Sequence, residues 1–294
     1  MRVFVTGATG FIGSAVVREL VDTGHQAIGL ARSDAAATAL SAAGAEVHRG
    51  ALDDLDSMRT GAAAADGVIH TAFIHDFSDY VAAAETDRRA IEAIGETLAG
   101  SDRPLVVASG MAALTPGRLA TEEDAVNPNL PRLSEQTALP FAEHGVRVSV
   151  LRLPPSVHGE GDHGFVAHLI NTARAKGISV YPGDGSNRWP AVHRLDAARL
   201  FRLALENAPA GARLHAVGDE GVAVRDIAEV IGRHLGLPVE SIPTETAFEH
   251  FGFIGAIFAM EMGASSALTQ QKLNWHPSRP GLIADLEEGH YFKE

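Results

Sequence analysis

Three glycines near the N-terminus have the spacing of a phosphate-binding turn. Gly7, Gly10 and Gly13 follow a short apolar run, and a helical pattern begins inside the glycine run. The first glycine permits a tight turn, the second lets the backbone approach a pyrophosphate, and the third lets the helix pack closely against the strand. Because the free N–H groups and positive dipole end of this helix would face the phosphates, the segment predicts a dinucleotide-binding site. The adjacent residues expected to contact the cofactor are Thr9, Phe11 and Ile12.

The end of the second predicted strand indicates which dinucleotide is bound. An NAD-binding site usually places a carboxylate there, to accept a hydrogen bond from the ribose 2′-hydroxyl. This chain has Arg32 and Ser33 instead. A guanidinium pairs well with a 2′-phosphate, and the hydroxyl adds a donor, so we expect NADP(H) in preference to NAD(H). Asp34 is expected to cap the following helix. The alternative, that Arg32 is only a solvated surface cation, stays open.

Alternating strand and helix patterns must position this turn. Strands are predicted at residues 3–5, 26–31, 46–48, 67–71, 104–109 and 146–151, with helical patterns between them. This alternation predicts an α/β fold with a doubly wound parallel sheet, the Rossmann arrangement. Pro and Gly become frequent after residue 153, where mixed short elements follow. We therefore expect a dinucleotide-binding domain over residues 1–155 and a smaller C-terminal substrate lobe over residues 156–294, interleaved with the first.

Composition narrows the classes of function. The 294 residues include no Cys, which excludes disulfides, thiolate catalysis and Cys-ligated metal. The net charge of −13 argues against nucleic acid and anionic membranes as partners, and no apolar run reaches membrane-spanning length. The N-terminal pattern is that of a strand and not of a signal peptide, so the cytoplasm is the expected compartment.

Six segments, in this order along the chain, resemble the extended or atypical short-chain dehydrogenase/reductases, an epimerase-like branch of the NAD(P)-binding Rossmann proteins. They are residues 6–13, 70–72, 109–110, 152–159, 192–198 and 273–277. The resemblance implies a Rossmann core, a bound nicotinamide cofactor and a C-terminal substrate lobe. It also implies further cofactor contacts at Leu52, Thr71, Ala72, Pro154 and Val157.

The proton relay of that family is missing. In the family a Tyr transfers the proton, and a Lys four residues later lowers the pKa of that Tyr. None of the three Tyr of this chain has Lys four positions on; Pro131 and Glu135 occupy the corresponding places. A Pro cannot transfer a proton, and a Glu would raise the pKa of a neighbouring phenol. A working enzyme would therefore need a non-standard proton donor.

Three residues are the main catalytic candidates. Ser109 ends the fifth predicted strand, where the family's Ser or Thr polarises the substrate, although a simple turn role is as good an interpretation. His158 replaces the Tyr of a Val-Tyr-Gly turn near the nicotinamide, and Tyr181 flanks a Gly-Asp-Gly turn. The other candidates are His75, His163, His193, Tyr80 and water. A structural contact with Asp196 is the favoured interpretation of His193.

No metal site is expected. The spacing of His158, His163 and His168 resembles a ligand set, but the intervening glycines break any common helix face.

The C-terminal half indicates an apolar substrate. The run at residues 248–262 is rich in Phe, Ile and Met, which is typical of a core helix but also suits a substrate pocket or a homodimer face. No cluster of Arg or Lys suggests a nucleotide-sugar diphosphate. The prediction is an NADP(H)-dependent oxidoreductase that reduces a small apolar or aromatic carbonyl, imine or activated alkene. Two alternatives stay open: a catalytically inactive NADP(H)-binding redox-sensing regulator, and an epimerase or isomerase with bound NAD(P).

Overall fold

Strands and helices alternate from residue 2 to residue 153. The computed structural model describes residues 1–75, 79–111, 118–127 and 131–293. In chain order the elements are β1 (Arg2–Thr6), α1 (Phe11–Asp22), β2 (Gln26–Ala31), α2 (Asp34–Ala42), β3 (Glu46–Arg49), α3 (Leu55–Ala63), β4 (Gly67–His70), α4 (Tyr80–Leu98), β5 (Pro104–Gly110), α5 (Ser134–Ala138), a 3-10 helix (Leu139–His144) and β6 (Arg147–Leu153).

Shorter elements make up most of the remaining chain. They are β7 (Ser156–His158), α6 (Phe165–Lys176), β8 (Ser179–Pro182), β9 (Arg188–His193), α7 (Arg194–Asn207), β10 (Ala212–His215), β11 (Asp219–Ala223), α8 (Val224–Leu235), β12 (Val239–Ile242), a 3-10 helix (Thr244–Thr246), α9 (Ala247–Phe251), α10 (Phe253–Phe258), α11 (Ala267–Leu273), α12 (Leu282–Glu287) and a 3-10 helix (His290–Phe292).

The central sheet has seven strands in the order β10-β6-β5-β4-β1-β2-β3, and every neighbouring pair is parallel. Helices cover both faces, and each face has its own apolar core. The predicted doubly wound α/β fold is thus confirmed. The strand order reverses between β1 and β4, and ligands of open α/β sheets bind outside the carboxyl ends of the strands at such a switch point.

The periodicity of α4 shows how the sequence specifies this layering. Its buried positions include Ala83, Asp87, Ala90, Ile94 and Leu98, spaced three or four residues apart. That spacing places them on one side of the helix, which packs against the sheet. Asp87 is charged although it lies among these buried apolar positions, and its partners are part of the candidate site.

A third apolar core lies in the C-terminal lobe. Trp189 on β9 packs edge-to-face against Phe258 of α10, with ring centroids 4.9 Å apart. Two small sheets frame this core: β7, β9 and β11 form one, and the parallel pair β8 and β12 forms the other.

The chain passes more than once between the central sheet and the C-terminal lobe. β10 pairs with β6 at the edge of the central sheet, and α7 shares the core of α1. The chain therefore leaves the main domain after β6 and returns to it between residues 194 and 215.

Two of the expected helices are broken. Over residues 131–144 a single turn of α-helix gives way to a 3-10 helix that has Pro at its start, where the missing N–H cannot join the helical ladder. The apolar run at residues 248–262 forms α9 and α10, which Gly252 separates with φ of 66°. None of the described helices combines the length and apolar character needed to cross a bilayer.

Candidate cofactor and active site

The glycine turn after β1 has the shape that a pyrophosphate requires. Gly7 has φ of 66°, and a Cβ there would lie 2.8 Å from the backbone nitrogen of Ala72. A Cβ on Gly13 would lie 2.0 Å from the carbonyl oxygen of Gly7, so both positions exclude side chains for packing reasons. A Cβ on Gly10 would have the Gly7 carbonyl oxygen as its nearest neighbour, at 3.2 Å, and the remaining space is open.

The N-terminus of α1 is open to an anion. Gly10 is its N-cap and makes no side-chain cap, whereas Ser33, Asp54 and Asp79 cap the next three helices with their side chains. The unused N–H groups and the helix dipole can therefore act on a phosphate. These residues fit the pyrophosphate of a dinucleotide.

Thr6 joins the ends of β1 and β4 beside this turn. Its hydroxyl lies 2.9 Å from Nδ1 of His70 and accepts a hydrogen bond from the backbone N–H of Ala72. The Thr71 hydroxyl donates to the carbonyl oxygen of Thr6 at 2.8 Å. Thr71 and Ala72, both expected to contact the cofactor, are thus fixed at the switch point of the sheet.

The far end of the expected cofactor site carries two arginines. Arg32 is exposed after β2, and Arg49 lies at the end of β3, opposite Ala31 in the sheet register. Ser33, and not Asp34 as expected, caps α2 by accepting a hydrogen bond from the Ala36 N–H at 3.2 Å. Asp34 is the first residue of α2 and pairs with Arg49 at 2.6 Å. Leu52, the expected adenine contact, is partly buried against the core on its side of the sheet.

His158 lies in the interior of the protein. Its exposed fraction is 0%, and its Nδ1 is 2.8 Å from Asp285 on α12, which also binds His290. Its Nε2 has no hydrogen-bond partner among the described residues. This position does not support the expected contact with substrate; instead His158 ties β7 to α12. Of its expected neighbours in the turn, Pro154 is buried and Val157 is partly buried.

Three other histidines named in the sequence analysis have structural contacts. Nδ1 of His193 accepts from the Leu195 N–H and caps α7, whereas Asp196 binds the backbone N–H groups of Ser278 and Arg279. His163 packs edge-on against Phe11, while His168 lies 3.1 Å from the carbonyl oxygen of Phe251. Among the described residues, Asp285, Glu288 and His290 bring potential metal-ligand atoms within 4.8 Å of one another, although His158 and His290 already bind Asp285.

Tyr181 and Ser109 have very different positions. Tyr181 is on β8, where its ring lies 5.0 Å from the guanidinium carbon of Arg225 and next to Gly185, within the C-terminal lobe. Ser109 is 7% exposed, one residue before the end of β5, and pairs with Arg152 in the sheet register. Ser109 is therefore at the carboxyl edge of the sheet, where the polarising residue was expected.

Aromatic rings from two parts of the chain meet at the carboxyl end of β4. The Phe73 ring is 5.6 Å from that of Tyr80, which is 6.0 Å from that of Phe253 in the C-terminal lobe. The guanidinium carbon of Arg132 lies 4.1 Å from the centre of the Phe73 ring. We call these four residues the aromatic cleft, in view of the substrate-binding role proposed for them below. Sequence reasoning named Tyr80 only as a minor candidate and placed Phe253 in an apolar run that suits a substrate pocket, but it missed Phe73 and Arg132. Arg132 directly follows Pro131, which the resemblance places where the family has Tyr.

Electrostatics distinguish the two titratable groups at this cleft. Burial lowers the pKa of His75, and the positive charges of Arg132 and His163 lower it further. Burial raises the pKa of Tyr80, against the opposing charge of Arg132. Near neutral pH the imidazole is thus neutral and the phenol keeps its proton.

A buried polar chain holds Arg132. Its Nε donates to the Ser134 hydroxyl at 2.8 Å, and that hydroxyl donates to Asp87 at 2.6 Å. The other carboxylate oxygen of Asp87 is 3.1 Å from Nε2 of His70, which also bonds to Thr6. Burial alone would raise the pKa of Asp87, but His70, Arg132 and Ser134 together hold it below its usual value. One continuous chain therefore links the strand of the glycine turn to the aromatic cleft.

Glu135, at the position of the missing Lys, is bound by two arginines. It is 2% exposed and accepts two hydrogen bonds from Arg152, at 2.7 and 2.8 Å, and one from Arg213 at 2.8 Å. Arg152 is itself fully buried and contacts His215 at 3.1 Å. The carboxylate thus joins α5 to β6 and β10, and its partners are cations and not a phenol.

Comparisons with known proteins agree with this geometry. The model of the NAD dependent epimerase/dehydratase family matches residues 3–217. The uncharacterized protein C2A9.02 of Schizosaccharomyces pombe is 53% identical over 99% of this chain and 100% of its own length. A Stigmatella aurantiaca protein named 4-hydroxy-2-methyl-3-oxo-4-farnesyl-3,4-dihydroquinoline-1-oxide ketoreductase is 26% identical over 84% of this chain and 78% of its own.

The fold is also similar to that of a solved sugar-nucleotide enzyme. The crystal structure of UDP-glucose 4-epimerase from Thermotoga maritima with UDP-glucose matches with a TM-score of 0.79 and 21% identity, covering 99% of this chain and 98% of that one. The family match extends over the central sheet and the returning β10, and it includes the glycine turn. The chain therefore belongs to the NAD dependent epimerase/dehydratase family.

Proposed function

We propose that the protein is an NADP(H)-dependent oxidoreductase that reduces a small apolar or aromatic carbonyl, imine or activated alkene. The observation that carries this proposal is the adjacency of the open glycine turn and the aromatic cleft at one switch point of the sheet. Residues 71–75, which follow β4, run from the turn into the cleft, so a cofactor on the turn and an apolar substrate in the cleft would meet.

The choice of NADP(H) depends on the residues after β2 and at the end of β3, which lie at the far end of the expected cofactor site. Arg32 is exposed, and the Ser33 hydroxyl, which accepts a hydrogen bond as a helix cap, still has its proton to donate. Arg49 is paired with the exposed carboxylate of Asp34, and a 2′-phosphate could take the place of that carboxylate. Two guanidinium groups and a hydroxyl suit a phosphate better than they suit a bare ribose hydroxyl.

The substrate class follows from the aromatic cleft. Three of its members are aromatic rings, and its cation, Arg132, is already bonded to Ser134 and to the carbonyl oxygen of Ala108. Such a cleft favours a flat or apolar molecule over a nucleotide diphosphate. The similarity to a ketoreductase of a quinoline compound supports the same class.

The bound nicotinamide would supply a hydride, and the residues of the chain have the remaining tasks. The glycine turn and Arg32 bind the cofactor, while the aromatic cleft orients the substrate and excludes water. Ser109, at the end of β5, is placed to donate a hydrogen bond to a substrate oxygen or nitrogen.

A substrate panel with a parallel binding measurement tests the proposal. Carbonyl, imine and activated-alkene compounds are incubated with NADPH or NADH, and the loss of nicotinamide absorbance is followed while cofactor binding is titrated by fluorescence. We expect NADPH to bind more tightly and to be consumed with at least one aromatic or apolar compound. Equal affinities for the two cofactors would refute the NADP(H) assignment.

A catalytically inactive NADP(H)-binding, redox-sensing regulator is the second candidate function, and one observation favours it. The two positions of the family's relay hold Pro131 and a Glu135 that is fully engaged with Arg152 and Arg213. Tight NADPH binding without consumption across the panel would favour that role. Exchange of a substrate's stereochemistry by protein that retains bound NAD(P) would favour the epimerase.

A further inference from the structure

We propose that Tyr80 is the proton donor of this enzyme and that Arg132 is the cation that tunes it, so that the pair does the work of the missing relay. This inference rests on the proposed reductase function and assigns its acid. It places the donor on α4 and the cation just before α5, whereas the two groups of the family's relay are four residues apart in the chain.

The position of Tyr80 is well defined. It is the first residue of α4, and the Asp79 side chain caps that helix by accepting from the Ala82 N–H at 3.1 Å. Its ring contacts both Phe73, which follows β4, and Phe253 of the C-terminal lobe. Tyr80 therefore lies where the nucleotide-binding half and the substrate lobe meet.

Arg132 is held rigidly beside it. Hydrogen bonds to Ser134 and to the carbonyl oxygen of Ala108 fix the guanidinium, which lies over the Phe73 ring. The ring of Phe73 thus contacts both the cation and the phenol. A preorganised positive charge that acts on Tyr80 favours the phenolate that remains after proton transfer, without further rearrangement of the protein.

Two charged side chains act on Tyr80: Arg132, just before α5, and Asp87 on α4. Burial raises the pKa of Tyr80 most strongly, Arg132 lowers it, and Asp87 of the same helix raises it. The phenol is consequently protonated at neutral pH, which is the state that a reductase needs. The nearby cation limits the cost of losing that proton.

The other titratable groups among the described residues lie outside the aromatic cleft or are weaker acids than a phenol. His75 is neutral near pH 7, and a neutral imidazole is a weaker acid than a phenol. His158 is buried against Asp285, and Tyr181 packs with Arg225. The Tyr291 hydroxyl donates to Asp162 and accepts from the Gly159 N–H.

The step balances with groups already named. For a carbonyl substrate, a hydride supplied by NADPH, which is oxidised to NADP⁺, forms the new C–H bond. The π electrons of the C=O bond move to oxygen. The O–H bond of Tyr80 breaks, its proton goes to that oxygen, and water later returns a proton to the phenolate.

The variant Tyr80→Phe and a matched control test the assignment. Tyr80→Phe should lower the rate of reduction by ~10²- to 10⁴-fold, the range for lost general acid catalysis, with little change in NADPH affinity. Tyr291→Phe removes the same hydroxyl from a ring outside the aromatic cleft, where that hydroxyl bonds to Asp162 and Gly159, and should retain the rate. The wild-type rate of reduction should stay level with rising pH until Tyr80 ionises.

A second measurement does not depend on turnover. Tyrosinate absorbance is titrated in the wild type, in Tyr80→Phe to identify the Tyr80 signal, and in Arg132→Gln and Arg132→Lys. The pKa of Tyr80 should rise in Arg132→Gln and return towards the wild-type value in Arg132→Lys, which restores the charge.

Two results would overturn the inference and leave the reductase intact: an undiminished rate in Tyr80→Phe, or a pKa of Tyr80 that is the same in Arg132→Gln as in the wild type. A wild-type protein that reduces no compound of the panel would overturn the proposed function, and this inference with it.

Discussion

Replacing Glu135 by Lys would restore the residue type of the family's relay at its usual position, and we predict that it will damage the protein. The carboxylate is 2% exposed and forms three hydrogen bonds with Arg152 and Arg213. A Lys would place a third positive charge among two guanidinium groups that have lost their shared counter-ion. The change would therefore break a buried ion pair and add repulsion.

The expected loss in the free energy of unfolding can be converted to a fall in melting temperature. Removing one partner of a buried ion pair costs about 3–5 kcal/mol. Unfolding of 294 residues carries an entropy of roughly 0.6 kcal/mol per kelvin, from about 2.1 cal/mol/K per residue. Glu135→Gln should thus lower Tm by about 5–8 °C, and Glu135→Lys by more because of the added charge.

Thermal unfolding followed by circular dichroism measures this effect. Glu143→Lys is the matched control, because Glu143 is exposed in the adjoining 3-10 helix and the same charge change there should alter stability by less than about 0.5 kcal/mol. A wild-type Tm in Glu135→Lys would refute the structural role. Higher turnover in the double variant Pro131→Tyr/Glu135→Lys would show that side chains at these two positions can act on the bound substrate.

Three further predictions concern the cofactor and pH. Arg32→Ala should weaken NADPH binding by ~10- to 100-fold, the equivalent of about 1.5–3 kcal/mol for a hydrogen bond to a charged group, and should leave NADH binding unchanged. Both affinities are measured by fluorescence titration, and an equal loss for the two cofactors would refute the assignment. Gly10→Val should fold with a near-normal Tm but lose NADPH binding, and normal binding by the folded variant would contradict the pyrophosphate site. Burial, reinforced by Arg152, lowers the pKa of His215 to about 4 from 6.5. As pH falls, the unfolded chain therefore takes up a proton on His215 before the folded protein does. The free energy of unfolding should be unaffected above pH 6.5 and should fall by about 3 kcal/mol as pH drops from 6.5 towards 4. Urea unfolding across that range should show the slope in the wild type and a smaller one in His215→Gln, and equal slopes would refute this role for His215.

Local patterns specify the parts of the fold and site that the sequence predicts well. The apolar run, the glycine spacing and the helix pattern of residues 2–20 are adjacent in the chain, so the turn follows from them. The parallel sheet follows from the alternation of strand and helix patterns along the first half of the chain. The choice between Ser33 and Asp34 as helix cap could not be made in this way. It depends on which of the two residues has extended backbone angles, and the structure gives them to Ser33.

The roles of buried polar groups depend on distant partners. His158 is interior because Asp285, 127 residues later, binds its ring. Glu135 is structural because β10 returns to the sheet and brings Arg213 to it. No local spacing encodes either contact, and the same is true of the meeting of Tyr80 with Phe253 in the aromatic cleft.

Transfer of deuterium from cofactor to substrate shows directly whether the protein is a reductase. NADPH labelled at the hydride-donating carbon of the nicotinamide ring is incubated with the protein and with the aromatic carbonyl that shows the fastest consumption, and the product is analysed by mass spectrometry. We predict one deuterium on the former carbonyl carbon, delivered from a single face of the nicotinamide ring. A reduced product without deuterium, or cofactor that binds tightly and is never oxidised by any compound of the panel, would contradict this function.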